Sequence, residues 1–173
     1  FCTNNGTVYA EVTQGGSNSL VSAFGLRDAV GSTNNASVFG QAVSAEVYCE
    51  GLSGPYDETG TPEAEGYNYG DVTALVTNST ATVKAVRALR HGGENTGAAT
   101  ARATNGKAVA YGAEECAYFS NTGSVTATVT GGSQVALAVG LFSCTDATQS
   151  AAIFASHDGS ASALARGCDS STR

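Results

Sequence analysis

The sequence predicts an all-β protein, a β-solenoid or β-roll of short strands with one long acidic loop. Short runs of alternating small apolar and hydroxylated residues fill most of the chain, as in 7–13, 124–130 and 134–139, and Gly or Asn closes them. Such alternation sends successive side chains to opposite faces of a strand. Two strand-like runs and a polar turn recur at 81–106, 107–132 and 133–159, units of about 26 residues that are typical of stacked coils.

The composition indicates one domain with a narrow interior. The 173 residues include no Trp and no Met, and Ile153 is the only isoleucine. Seven Tyr and six Phe fill only part of the gap of about 10 Å between the sheets of a sandwich. An antiparallel β-sandwich is the alternative fold, because 125–139 also reads as a hairpin around Gly131 and Gly132.

The elements follow from the pattern in chain order. Strand-like runs lie at 8–12, 20–24, 37–39 and 42–48. Residues 51–70 then form the long acidic loop, which holds both prolines, several Gly and Tyr, and no alternation. A strand returns at 72–77, and 81–91 fits either a strand or a short helix. Further runs lie at 99–103, 108–111, 117–119, 125–130, 135–142, 151–155 and 161–164, before a flexible tail at 167–173.

Charge and hydropathy narrow the setting. The net charge is −7 and only 13% of residues are charged, which argues against nucleic-acid binding through phosphate neutralisation. No apolar run reaches the length of a transmembrane helix. The chain opens on Phe1 without an initiator Met, as a processed mature protein would. We therefore expect a secreted, extracellular or cell-surface location.

The five cysteines contain no C-x-x-C pair, which favours disulfides over a zinc or redox site. The positions of Cys116 and Cys144 in successive units predict one bridge between them. A second bridge is predicted between Cys2 and Cys49. Cys168 is left over, either free in the tail or joined to another subunit.

The acidic loop contains the one candidate cation site. Ca²⁺ takes six to eight oxygen ligands. The candidate ligands are Asp57, Glu58, Glu63 and Glu65. Their spacing does not match an EF-hand, so a solvated acidic loop is the alternative, and no other cofactor is predicted. N-glycosylation sequons begin at Asn5, Asn35 and Asn78 and agree with secretion.

Two features suggest association with further copies. Eight acids and no Lys or Arg lie between residues 28 and 83, whereas Lys84, Arg87 and Arg90 open a basic segment. These segments either fix a head-to-tail register between subunits or neutralise each other within one chain. The run at 135–142 is apolar on both faces, so Val135, Leu137 and Val139 are candidates for contact with another subunit.

No catalytic signature is present. Ser156, His157 and Asp158 are the residue types of a hydrolytic triad, but adjacent side chains rarely converge in the required way. The sequence therefore predicts a secreted, non-enzymatic structural protein, a self-assembling subunit of an extracellular filament, coat or adhesive layer. Thr126, Thr128 and Thr130 on one face suggest ice binding instead, and three tyrosines beside the acidic loop suggest glycan binding. A small β-helical polysaccharide-active enzyme is the third alternative.

Two fragments, 107–112 and 160–167, resemble the short-strand and glycine units in the left-handed β-roll heads of trimeric autotransporter adhesins. The rest of the chain departs from the regular spacing of that family. The resemblance implies a surface-exposed, adhesive or structural role.

Overall fold

The chain forms a β-solenoid of six coils, as the computed structural model shows. The structure describes residues 2–13, 19–27, 31–53, 66–77, 82–89, 93–115, 119–144, 146–159 and 161–169. These residues form eighteen strands in three parallel six-stranded sheets, and they contain no helix. The predicted all-β solenoid is confirmed. The sandwich alternative is wrong, because every strand pair is parallel.

Each coil contributes one strand to each sheet. Sheet A contains β1 (Thr3–Asn4), β4 (Thr33–Asn34), β7 (Gly66–Asn68), β10 (Gly93–Asn95), β13 (Phe119–Asn121) and β16 (Thr148–Gln149). Sheet B contains β2 (Val8–Val12), β5 (Val38–Val43), β8 (Val72–Thr77), β11 (Ala99–Thr104), β14 (Val125–Thr130) and β17 (Ile153–His157). Sheet C contains β3 (Leu20–Leu26), β6 (Glu46–Ser53), β9 (Thr82–Leu89), β12 (Lys107–Glu114), β15 (Ala136–Phe142) and β18 (Ala163–Asp169).

The predicted repeat length is confirmed for the later coils. Val72, Ala99, Val125 and Ile153 are successive partners in sheet B, at intervals of 27, 26 and 28 residues. The earlier intervals are longer, 30 from Val8 to Val38 and 34 from Val38 to Val72. Parallel pairing without shifts therefore stacks equivalent positions of successive coils into columns.

Small side chains fill the space between sheets B and C. The inward columns consist largely of Val and Ala, as at Val72, Ala74, Val83 and Ala85, which are fully buried. Alternation along each strand puts these residues inside and hydroxylated residues outside. The narrow interior predicted from the composition follows from this pattern.

The corner between sheets B and C uses left-handed backbone. Gly131 and Gly132 have φ of 69° and 72°, and Asn105 and Ser44 occupy the same corner in other coils with φ of 64° and 59°. Glycine enters this region at little cost. The expected hairpin at 125–139 is wrong, because β14 and β15 belong to different sheets and this turn only changes the direction of the chain.

Several boundaries differ from expectation. The predicted run at 42–48 is not one strand, because a turn at Ser44 separates β5 from β6. Residues 82–89 form a strand, which resolves the ambiguity at 81–91. The acidic loop is shorter than 51–70, since β6 continues to Ser53 and β7 begins at Gly66. The tail does not begin at 167, because β18 pairs with β15 as far as Asp169. None of the described segments is a helix that could span a membrane.

Candidate assembly surfaces at the ends of the solenoid

A ladder of side-chain amides runs the length of the molecule inside sheet A. Its rungs are Asn4, Asn34, Asn68, Asn95, Asn121 and Gln149. The four central asparagines are fully buried. Each amide nitrogen donates to the amide oxygen one coil later, with N···O distances from 2.6 to 3.0 Å. Buried amides need such partners, so the ladder fixes the register of all six coils.

A column of glycines lies against the ladder. A Cβ at Gly112 would collide with Asn121 Nδ2 and lie 2.5 Å from the carbonyl oxygen of Gly140. A Cβ at Gly140 would collide with the Gln149 amide and lie 2.7 Å from the carbonyl oxygen of Gly167. A side chain at these positions would thus occupy the space of the next coil.

Both ends of the solenoid present edge strands. Strands β1, β2 and β3 form the N-terminal end, and β16, β17 and β18 form the C-terminal end. Inward side chains that are buried in central coils are partly exposed at Val8 and Ile153, and Ala163 is exposed. Among the described residues, no strand pairs with the outer edges of these six strands. Unpaired edges of this kind are templates for further strands.

Large aromatic side chains mark both ends in one outward column of sheet B. Tyr9, Phe39, Thr73, Thr100, Thr126 and Phe154 occupy this column. Tyr9 and Phe39 stack in parallel with ring centroids 5.4 Å apart. Tyr9 is 55% exposed in the first coil and Phe154 is 57% exposed in the last. Aromatic surface is therefore available at both ends.

The apolar outer face of sheet C is covered within one chain. Val139 is fully buried in a cluster with Val109 and Tyr111, against which Leu137 packs. The ring of Tyr111 stacks on Phe142 at 4.9 Å. Val135 and Leu137 are half-buried in the fifth coil, one coil before the C-terminal end. Hence the chain itself covers Val139, whereas contact of Val135 and Leu137 with another subunit stays a prediction.

Lys84 lies on the side of the third coil and has partners in its own chain. Its Nζ lies 2.7 Å from Glu114 Oε2, and 5.7 Å and 5.1 Å from the ring centres of Tyr48 and Tyr111. The side chain of Arg87 and all of Arg90 lie outside the described residues. The expected role of this basic segment in assembly thus gains no support from the geometry of Lys84.

A groove of about 810 Å³ crosses the outer face of sheet C beside Lys84. Its lining includes Phe24, Arg27, Tyr48 and Glu50. Glu50 is 3% exposed, its Oε2 accepts a 2.8 Å hydrogen bond from the Tyr48 hydroxyl, and its Oε1 is buried without a partner. Burial raises the pKa of Glu50, and burial together with the Glu50 charge raises that of Tyr48. The groove therefore holds a buried carboxyl group that binds its proton more tightly than an exposed glutamate does.

The expected Cys2–Cys49 disulfide is wrong. Cys49 is a free, fully buried thiol in the core with its Sγ against Gly40, and Cys2 is a free, exposed thiol before β1. Cys49 faces inward because it occupies an inward position of β6. Cys116 lies outside the described residues, so its pairing with half-buried Cys144 stays a prediction. Cys168 is a free, exposed thiol on β18 and not in a tail.

The remaining candidate residues lie partly inside and partly outside the described part of the chain. Asp57, Glu58, Glu63, Glu65 and Asn78 lie outside the described residues, within which no group of three or more His, Cys, Asp or Glu could hold a metal ion. Asn5 and Asn35 are exposed and share a 2.9 Å hydrogen bond. In the candidate group at 156–158, His157 Nδ1 accepts a hydrogen bond from Gly159 N and Asp158 Oδ1 accepts one from Gly131 N.

Stacking also turns the threonine run of β14 into columns. Thr73, Thr100 and Thr126 are in register on the outer face of sheet B, and so are Thr104 and Thr130. Adjacent strands lie about 4.8 Å apart, so each column is a regular row of hydroxyl and methyl groups. Between the two columns lie Leu75, Arg102 and Thr128.

The ladder and the glycine column escaped sequence analysis. The signal was an Asn or Gln four residues before the first inward residue of sheet B in every coil. It is present in Asn68-Tyr-Gly-Asp-Val72, Asn95-Thr-Gly-Ala-Ala99 and Asn121-Thr-Gly-Ser-Val125. Asparagine next to glycine is a typical turn residue, so the sequence pattern does not show that its side chain hydrogen-bonds to another amide. Comparisons with protein-family models, with curated proteins and with solved structures found no match.

Proposed function

We propose that this protein is a secreted structural subunit that assembles with copies of itself through the ends of its solenoid. The proposal rests on a difference in exposure between inward-facing residues of the last two coils. Ala136 and Ala138 are fully buried in the fifth coil, whereas Ala163 and Ala165, their partners in the sixth, are exposed. A further coil would bury these residues and pair the edge of β18.

Three properties support an extracellular structural role. The side faces are rich in hydroxyl groups and carry few charges. Both described sequon asparagines, Asn5 and Asn35, are exposed and accessible to modification. Among the described residues, the buried polar side chains are mostly amides that hydrogen-bond to one another, as structural rungs would.

Assembly is tested by sedimentation velocity and negative-stain microscopy over a wide concentration range. We expect concentration-dependent polymers whose width is that of one solenoid. Phe154→Lys places a charge at the C-terminal end and should weaken assembly. Thr100→Lys lies in the same column in the fourth coil and is the matched control. Wild-type protein that stays monomeric throughout would refute the proposal.

Ice binding is a second candidate function, favoured by the two threonine columns of sheet B. Regular rows of hydroxyl and methyl groups on a flat sheet can order water at their spacing. A thermal-hysteresis measurement tests this, with Thr100→Lys expected to abolish the effect and Thr96→Lys, on another face, expected to leave it unchanged. Absence of thermal hysteresis in the wild-type protein would rule this function out.

A further inference from the structure

The two ends of the solenoid complement each other in a single orientation. We propose that copies stack head to tail, with the C-terminal end of one copy on the N-terminal end of the next, so that the amide ladder continues from Gln149 to the next copy's Asn4. This inference rests on the proposed function, because it names the partner surface and the polarity of the same ends.

The direction of the ladder sets the polarity. Asn4 Nδ2 donates both of its hydrogens within the chain, to Gly25 O at 3.1 Å and to Asn34 Oδ1 at 3.0 Å. At the N-terminal end Asn4 Oδ1 accepts one hydrogen bond from Gly6 N at 3.2 Å, and its second lone pair is left to accept from another copy. At the C-terminal end Gln149 Nε2 uses one hydrogen for Ala151 O at 3.1 Å and keeps a second to donate. If two N-terminal ends met, Asn4 Oδ1 of one copy would face Asn4 Oδ1 of the other, and two acceptors cannot form a hydrogen bond.

The side-chain columns agree with this orientation. Stacking the last coil on a first coil puts Phe154 over the next copy's Tyr9, because both belong to one column. This extends the stacked pair of Tyr9 and Phe39 and covers the two aromatic rings that are most exposed among the described residues. In sheet C the same operation puts Arg166 over Phe24, which already binds the guanidinium of Arg27 at 4.8 Å.

The glycine column offers a methyl-sized probe of the contact. A Cβ at Gly140 would meet the carbonyl oxygen of the next coil at 2.7 Å, whereas one at Gly167 meets nothing within 4 Å. In the proposed stack the next coil belongs to another copy. Gly25 of the next copy would lie over Gly167 of the first copy, in the same way that Gly167 lies over Gly140 within one chain. A methyl at Gly167 is thus harmless in the monomer and obstructive in the head-to-tail contact.

Two native cysteines, one at each end, allow the relative orientation of neighbouring copies to be determined. Cys168 occupies the column of Ala113 and Leu141. Cys2 occupies the position in the first coil that Phe119 occupies in the fifth, because each lies one residue before an equivalent residue of sheet A, Thr3 or Ser120. Ala113, Leu141 and Phe119 pack in one cluster inside the solenoid. Head-to-tail stacking therefore brings Cys168 of one copy beside the next copy's Cys2.

The first experiment compares Gly167→Ala with wild type and with Thr96→Ala, an exposed position on the side of the fourth coil. We expect Gly167→Ala to keep the circular dichroism spectrum and the unfolding midpoint of the wild-type monomer. Its critical concentration for assembly should rise about tenfold or more, because overpacking opposes the contact. Unchanged assembly of folded Gly167→Ala would overturn the proposed stack.

The second experiment maps cross-links in assembled protein. Equal amounts of unlabelled and ¹⁵N-labelled chains are assembled and treated with a short bis-maleimide, and mixed-isotope peptides are identified by mass spectrometry. We expect a Cys2–Cys168 product that is lost in Cys2→Ser. Mainly Cys2–Cys2 or Cys168–Cys168 products would overturn the polarity but leave self-assembly intact. A wild-type chain that never assembles would overturn the proposed function and this inference together.

Discussion

Asn95 Nδ2 donates a 2.6 Å hydrogen bond to Oδ1 of Asn121, one coil further along the solenoid, and both side chains are fully buried. The two residues are 26 positions apart in sequence but directly paired in sheet A. Repeated along the molecule, this contact joins six coils through their side chains in addition to the backbone ladders. The register between coils is therefore fixed by buried side-chain hydrogen bonds as well as by the backbone hydrogen bonds of the sheets.

Replacing Asn95 with Ala should lower the free energy of unfolding by about 2–4 kcal/mol, because it removes one hydrogen-bond partner from each of three buried groups. These groups are Nδ2 of Asn68, the carbonyl oxygen of Gly112 and Oδ1 of Asn121. Urea unfolding of the monomer measures the change. Asn35→Ala is the control, because this exposed asparagine should cost less than about 0.5 kcal/mol. Equal effects of the two substitutions would contradict a structural role of the ladder.

Gly112→Ala should destabilise the monomer by about 1–3 kcal/mol, since its methyl group would displace the Asn121 amide and the backbone at Gly140. Gly167→Ala, in the same column but in the last coil, should leave monomer stability unchanged or slightly raised. Thermal unfolding below the assembly concentration compares the two. If Gly112→Ala is as stable as wild type, the close packing of ladder and glycine column is not present in solution.

The buried carboxyl of Glu50 should make stability depend on pH. Its pKa in the folded chain is raised by burial above the ordinary value of 4.5. The unfolded chain therefore loses this proton first, and stability falls as the pH rises from about 4.5 through the raised folded pKa. Above that range the loss is complete. Urea unfolding between acidic and neutral pH measures this loss.

Glu50→Gln should remove this part of the pH dependence and be relatively more stable at neutral pH. The control is Glu46→Gln, which alters an exposed carboxyl on the same strand and should retain the wild-type profile. A wild-type profile in Glu50→Gln would show that Glu50 is not buried as described.

Thiol labelling should separate the cysteines by burial. Cys2 and Cys168 are exposed, whereas burial raises the pKa of the Cys49 thiol to about 12. Folded protein kept below its assembly concentration and treated with iodoacetamide at pH 8 should therefore be modified at Cys2 and Cys168, and at Cys49 only after unfolding. Peptide mapping by mass spectrometry gives the positions. Protection of Cys2 together with Cys49, relieved by a reductant, would restore the disulfide that the structure lacks.

The sequence by itself determined the all-β class, the repeat of about 26 residues and the small-residue interior, since these depend on alternation and side-chain size within single strands. Only the tertiary structure decided which distant residues meet. Paired strands are 26 to 36 positions apart in sequence. This pairing places Asn95 in the amide ladder, Gly131 at the corner between sheets B and C, and Cys49 in the core without a disulfide to Cys2. The same stacking buried Val139 within its own chain and exposed Phe154 at an end. Local propensity cannot specify these partners, because an Asn in a polar turn has the same pattern whether it faces water or another amide one coil away.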